Sequence, residues 1–248
     1  MRLSVITICL NEEKKIRKTL ESVINQSFKE YEYIVIDGAS SDSTISIINE
    51  YRENIDIIIS EKDSGIYNAM NKGLTLANGE YVIFLNGGDY FYENDTLEKV
   101  FSYDLSSSFV YGNILVKSDN GFIRKSGPKN FKYHTLYKMV PPHQSSFIKK
   151  DLYLSIGFFD ESFKISGDRD FALRAIIKNK IIPQYIPVDI AVFDPEGISS
   201  NNLAEKKIES RIAKKKNFPV LIFIVLDISF SGMKFIEKFK RRFLNIKF

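Results

Sequence analysis

Four short apolar runs, three of them followed by a helical pattern, confine residues 1–90 to one kind of architecture. "LSVITIC" is followed by Ile16, Leu20, Val23 and Ile24 at helical spacing. "YEYIVIDGAS" precedes "SDSTISIINEYRE", "IDIIIS" precedes "GIYNAMNKGLTLAN", and "EYVIFLN" closes the series. Short apolar runs bounded by turn residues read as strands, and the 3.6-residue period between them reads as helix. Strands that alternate with helices pair in parallel, with the helices covering both faces. The expected fold class is therefore α/β: a doubly wound, mixed, mostly parallel sheet with helices on both faces. Beyond Ser106 the alternation loosens. "SSFVYGNILVKSDNGFIRKSG" predicts a hairpin turning at Asp119-Asn120-Gly121, and "RDFALRAIIKNK" predicts a helix. "IIPQYIPVDIAVF" carries two prolines, which predicts an edge strand or an extended segment.

In open α/β sheets ligands bind beyond the carboxyl ends of the strands. Asn11 follows the first strand, Asp37 ends the second, Asp63 follows the third, and Asn86 and Asp89 follow the fourth. Asn11 or Asp37 alone reads equally as a cap or turn residue. Together the four strand ends make one polar rim. The first turn lacks G-x-G-x-x-G, and the chain has neither a phosphate-cradling G-x-x-x-x-G-K-[ST] loop nor a G-x-S-x-G elbow. These absences disfavour a Rossmann-type dinucleotide, an ATP-cradling loop and a serine hydrolase. Hard carboxylate oxygens suit Mg2+ or Mn2+, bound through few protein ligands plus substrate phosphates. On this reading Asp89 holds a divalent cation, and Gly87 and Gly88 let a diphosphate approach the backbone. The alternative is a plain Gly-Gly-Asp turn leading into a helix.

"SVITICLNE", "YEYIVIDGASSDST" and "DSGIYNAMNKGLTLANGEYVIFLNGGD" resemble the family 2 glycosyltransferases, whose fold is called GT-A. The resemblance resumes at "PPHQSSFIKKDLYLSIGFFDESFKISGDRDFALRAI", residues 141–176. It implies transfer of a sugar from a nucleotide-diphosphate donor, with inversion at the anomeric carbon; UDP is the default nucleotide. It further implies that Asp37 contacts the nucleotide base and that Asp63 lies near the ribose or phosphate. Asp89 matches the end of the family's metal-binding D-x-D region, and Asp168 matches its general base. Ile8 and Cys9 stand where relatives often carry Pro-Thr, and Cys9 joins Asn11, Asn86, Gly87 and Gly88 as a donor-side candidate. His143 and Asp170 are further candidates. The competing readings make Asp168 a helix cap, His143 a core histidine, and Lys72, Arg169 and Arg174 solvated helix positions.

Inverting transfer needs charge stabilisation on the departing diphosphate and one base for the acceptor hydroxyl. Asp89 and Asp168, on different elements, are expected to face each other across the sugar. A nucleotidyltransferase is the alternative on a similar sheet, but "CLNEEKK" lacks the glycine-rich loop it wants. A non-catalytic sugar-nucleotide binder is the other alternative, and it has no need of a base.

The net charge of +4 is uneven. From Glu205 onward there are twelve Lys/Arg and four Asp/Glu, so the preceding residues are net acidic, which argues against nucleic-acid binding. The expected organisation is a GT-A domain over residues 1–200, with a nucleotide-binding half over about 1–105 and an acceptor and base half over about 106–200, then a basic, partly apolar helical tail over 201–248. Phe235, Ile236, Phe239, Phe243 and Ile246 alternate with basic residues as in an interfacial helix. The tail is expected to contact a membrane surface, the catalytic domain or a second copy. The acceptor is expected to be a glycan or a lipid-linked glycan, as in bacterial surface-polysaccharide assembly. The single cysteine, the lack of a cleavage-site pattern and the lack of a spanning apolar run suggest a cytoplasmic protein, with a peripheral position on the inner membrane face as the refinement.

Overall fold

The computed structural model describes residues 1–118, 121–193 and 202–230. Strands β1 (Leu3–Cys9), β2 (Tyr31–Asp37), β3 (Ile57–Ser60) and β4 (Tyr81–Phe84) alternate with helices α1 (Ile16–Ile24), α2 (Thr44–Glu50) and α3 (Ile66–Leu76). β1 is buried along its whole length, and β2 at all but its first residue. Continuous apolar runs of this kind fit a sheet covered on both faces. One face packs Ile6, Ile8, Ile34 and Ile36 against Ala69, Met70 and Leu74 of α3. The other packs Leu3, Val5, Tyr33 and Val35 against Ile16, Leu20 and Val23 of α1.

The second half contributes β5 (Tyr90–Phe91), α4 (Thr96–Phe101), β6 (Phe109–Ser118), β7 (Gly121–Lys125), α5 (Tyr133–Lys138), β8 (Ser146–Lys149), α6 (Lys150–Ile156), α7 (Gly167–Leu173), β9 (Gln184–Phe193) and α8 (Leu203–Asn217). The strand order is β3-β2-β1-β4-β8-β6-β9-β5, with β7 pairing onto β6. The first four strands are parallel, and β8 joins β4 antiparallel. The β6–β7 hairpin closes with Ser118 opposite Gly121, whereas Asp119 and Asn120 of the expected turn lie outside the described residues.

The two-proline segment is an internal strand only towards its end, where β5 pairs with Ala191 and Val192. β9 pairs with β6 on one side and β5 on the other. The β6–β9 register shifts between Tyr111 and Ile114, opposite the stretch that holds Pro187. At Pro187 the ladder to β6 is irregular and, among the described residues, no strand pairs on the other side, so a residue with no N–H is tolerated there.

Parallel register sets the functional rim. Cys9 pairs with Asp37, and Asp37 with Ser60, so β1, β2 and β3 end level. Beyond β4 the ladder continues, with the Leu85 N–H donating to Ile6 and the Gly87 N–H to Ile8. The Asn86–Asp89 turn thereby lies beside Cys9.

Basic helix α8 packs against α7, and residues 220–230 form a further helix that returns over α5. Ala213, Phe218 and Phe223 join the core that contains Phe171 and Leu173. The described part of the tail is thus packed onto the core of the preceding residues. Phe235, Ile236, Phe239, Phe243 and Ile246 lie outside the described residues.

Candidate active site

Asp37 is fully buried at the end of β2. One carboxylate oxygen accepts the Ser60 hydroxyl at 2.6 Å and the Ser40 N–H at 3.1 Å, and the other accepts the Ser40 hydroxyl. The Cys9 thiol points at the same carboxylate and at the Ile36 carbonyl, and burial drives its pKa far up. Asn11, at φ +55°, accepts the Ser41 N–H at 2.9 Å, while its own N–H donates to Ser40. Asp37, Cys9 and Asn11 therefore knit the loops after β1 and β2 together. Asp63 lies over this loop: a Cβ on Gly38 would meet its carboxylate at 2.9 Å. Lys72 is not simply solvated. It bonds Asp63 and Glu61, each at 2.8 Å, because α3 runs back beside the β3–α3 loop.

The turn after β4 is held by α1. The Thr19 hydroxyl donates to the Asp89 carbonyl at 2.7 Å and accepts the Gly88 N–H at 3.0 Å. Gly88 has φ +97°, which disfavours a side chain, and a Cβ on Gly87 would press on Glu12 and Cys9. The glycines thus have a local reason apart from ligand approach. Asp89 is only 5% exposed, whereas Asn86 reaches towards the second half of the chain.

There the Asn86 amide nitrogen lies 3.4 Å from Nε2 of His143, and His143 Nδ1 lies 3.2 Å from Oδ2 of Asp168. The Tyr67 hydroxyl donates to the other Asp168 oxygen at 3.3 Å. Nδ1 of His143 donates to the Asp168 carboxylate. Asp168 keeps 28% of its side chain exposed. Beneath the pair lies an apolar hollow of about 10 Å³ lined by Phe84, Phe109, Tyr153, Phe159 and Phe171. It has room for a water at most.

Asn86, through His143, is the link from the β4 rim to Asp168. Asp170 points elsewhere. It is fully buried and accepts the Asn217 amide at 2.7 Å, with Lys216 Nζ at 3.4 Å, because the next helical positions turn towards α8. Nor are the two arginines solvated. Arg174 donates to the Ile156 and Phe158 carbonyls at 2.7 and 2.6 Å, and Arg169 to the Lys138 carbonyl at 3.1 Å.

A cation's fit rests on the donors near Asn86. The Asn86 Oδ1 atom is buried and has no hydrogen-bond partner, which a cation would relieve. Asp89 is the one carboxylate in the same turn. Among the described residues no three His, Cys, Asp or Glu side chains cluster as a metal site. Mg2+ and Mn2+ often take one or two protein oxygens and fill the remainder from phosphates and water. This donor set fits a cation shared with a diphosphate, not one held by protein alone.

Residues 4–164 match the family model described as "Glycosyl transferase family 2". The chain belongs to that family. A "PGL/p-HBAD biosynthesis glycosyltransferase" of Mycobacterium tuberculosis (strain ATCC 25177 / H37Ra) is 30% identical over 229 residues, covering 90% of this chain and 88% of the relative. The "Putative teichuronic acid biosynthesis glycosyltransferase TuaG" of Bacillus subtilis (strain 168) is 36% identical over 112 residues, 44% of each chain. The fold is shared with S. aureus TarS 1-349, solved in complex with UDP-GlcNAc: TM-score 0.72, 21% identity, covering 93% of this chain and 73% of that one. This is the GT-A fold expected for the family, and the chain is a glycosyltransferase.

In this family 2 chain the electrostatics of Asp168 have a stated balance. Burial works to raise its pKa, but the His143 hydrogen bond and charge, the Arg169 N–H and the Arg169 guanidinium bring the net shift below the ordinary carboxylate value. Burial and the Asp168 charge push the Tyr67 phenol well up, so Tyr67 remains a donor. Tyr67 lies in a quoted motif, yet nothing local marks it as a partner 101 residues from Asp168. Replacing His143 with glutamine removes the leading downward influence and leaves burial. The acid limb of the kcat/KM pH profile is then expected to move to higher pH, which a pH–rate series checks; an unmoved limb would detach His143 from the titration of Asp168.

Proposed function

We propose that this glycosyltransferase is inverting, and that it moves a sugar from a nucleoside-diphosphate donor to a hydroxyl of a glycan or lipid-linked acceptor. The observation that carries the reading is the Asn86–His143–Asp168 chain, which presents one pinned, partly exposed carboxylate at the carboxyl rim of the sheet.

In the step itself the acceptor oxygen bonds to the anomeric carbon while the bond from that carbon to the diphosphate oxygen breaks. The electron pair leaves with the diphosphate, and the acceptor's proton passes to Asp168. His143 and Tyr67, donating to separate carboxylate oxygens, hold Asp168 ionised and oriented. The loops joined by Asp37, Asn11 and Ser40 form the nucleotide side, with Asp63 close to it. Asp89 and the Asn86 amide oxygen would hold Mn2+ or Mg2+, which when bound supplies positive charge to the leaving group.

UDP is the favoured nucleotide, supported by the UDP-GlcNAc complex of TarS. Surface-glycan assembly is supported by the names of the mycobacterial and Bacillus relatives. Peripheral contact with an anionic membrane from the cytoplasmic side is supported by the tail. Val220, Leu221, Val225 and Ile228 are between 65% and 77% exposed, and residues 231–248 carry six basic residues and one acidic. Exposed apolar residues followed in sequence by this basic composition suit anionic lipid better than a second copy, whose like charge would repel it. Among the described residues no helix is long and apolar enough to cross a membrane.

The reading is tested by a thermal-shift screen of nucleotide sugars with and without Mn2+. A cognate donor at 100 times its Kd stabilises by about 2.7 kcal/mol. Equal, negligible shifts across all nucleoside-diphosphate sugars would contradict it.

A further inference from the structure

We infer that Glu209 of the C-terminal helix is a positioning residue for the base: it fixes the three residues leading into α7 and so sets where Asp168 stands. The inference rests on Asp168 being the proton acceptor.

Glu209 is 8% exposed on a helix whose exposed side is strongly basic. Its carboxylate accepts the N–H groups of Lys164 and Ile165 at 2.8 Å each and of Ser166 at 2.9 Å. Gly167 and Asp168 come next. Three backbone donors converging on one buried carboxylate are charge-assisted bonds, and a neutral residue cannot accept them all. Two helical steps further along the same face, Asn217 donates to Asp170 at 2.7 Å, and fully buried Ala213 lies between. Positions 209, 213 and 217 share one side of α8. That side therefore grips the chain before Asp168 and again two residues after it.

The grip bears on the base because the other contacts of Asp168 come from elsewhere. His143 and Tyr67 meet it at 3.2 and 3.3 Å from outside α7. A Cβ on Gly167 would strike the Tyr67 ring at 2.8 Å, so the start of α7 packs directly on that ring. Rotation or sliding of this seven-residue helix would lengthen both contacts at once. The family model ends at residue 164, so Glu209 itself lies beyond the matched region.

The test uses the full chain with Glu209→Ala, Glu209→Gln and Asp168→Asn assayed side by side. Readouts are kcat, donor KM, donor Kd, and hydrogen exchange at residues 164–166. Expected is a kcat loss of about 10–100-fold in Glu209→Ala and less in Glu209→Gln, since misplacing a reacting group by about 1 Å costs on that scale. Donor Kd stays within about threefold, and exchange rises first at residues 164–166. Should the alanine variant fail to fold, the glutamine variant carries the same comparison. A fall in thermal stability with kcat per folded molecule unchanged would overturn the inference and leave Asp168 as the base. Full activity of Asp168→Asn would overturn the base assignment, and this inference with it.

Discussion

Asp168→Asn lowers kcat by about 10²–10⁴-fold, the contribution of a positioned proton acceptor. Asparagine keeps the size of the side chain and one oxygen for the His143 N–H, but an amide does not take a proton at neutral pH. Donor affinity stays within several-fold, because the nucleotide side proposed at the β1, β2 and β3 ends is held by contacts of Asp37 with Ser40 and Ser60, whereas Asp168 is held by His143 and Tyr67. Single-turnover rates alongside donor titration separate the two effects. Retained turnover would send the proton elsewhere, and Asp170 is poorly suited to receive it while buried against Asn217.

The second large effect is on the donor. Asp89→Asn weakens donor binding in Mn2+ at least tenfold, about 1.4 kcal/mol. The same-shape amide preserves the turn, whose Asp89 backbone contacts to Asn86 and Thr19 do not involve the side chain. A chelator reproduces the loss in the unmodified chain and adds little to the variant, since both remove one interaction. Isothermal titration with and without chelator measures this. A variant that keeps full, chelator-sensitive affinity would release Asp89 from the cation and leave the Asn86 oxygen as its candidate holder.

Much of the fold was legible because it is written locally. The β-branched runs, their helical sequels and the polar residue after each strand are short-range patterns, and parallel register brings Cys9, Asp37 and Ser60 level. What was not legible is long-range. Pro187 argued for an edge along the whole segment, but β5 closes on β9 at Ala191 and Val192 from a segment some 100 residues earlier. Asp168 and Asp170 look interchangeable in "SGDRDF"; only the packing of α8 turns one to the rim and buries the other. Arg174 reads as a surface cation until the Ile156 and Phe158 carbonyls are brought to it. Asp89 is the turn's only carboxylate, yet the side chain of that turn that reaches His143 is the uncharged Asn86.

The central claim is a single displacement with one proton-accepting carboxylate. The anomeric configuration of the first-formed product, read by proton NMR against that of the donor sugar, tests it most directly. Inversion, an α-linked donor giving a β-linked product, is the expected result. A product with the donor's own configuration would require a second displacement or a front-face route, and would contradict the role given to Asp168.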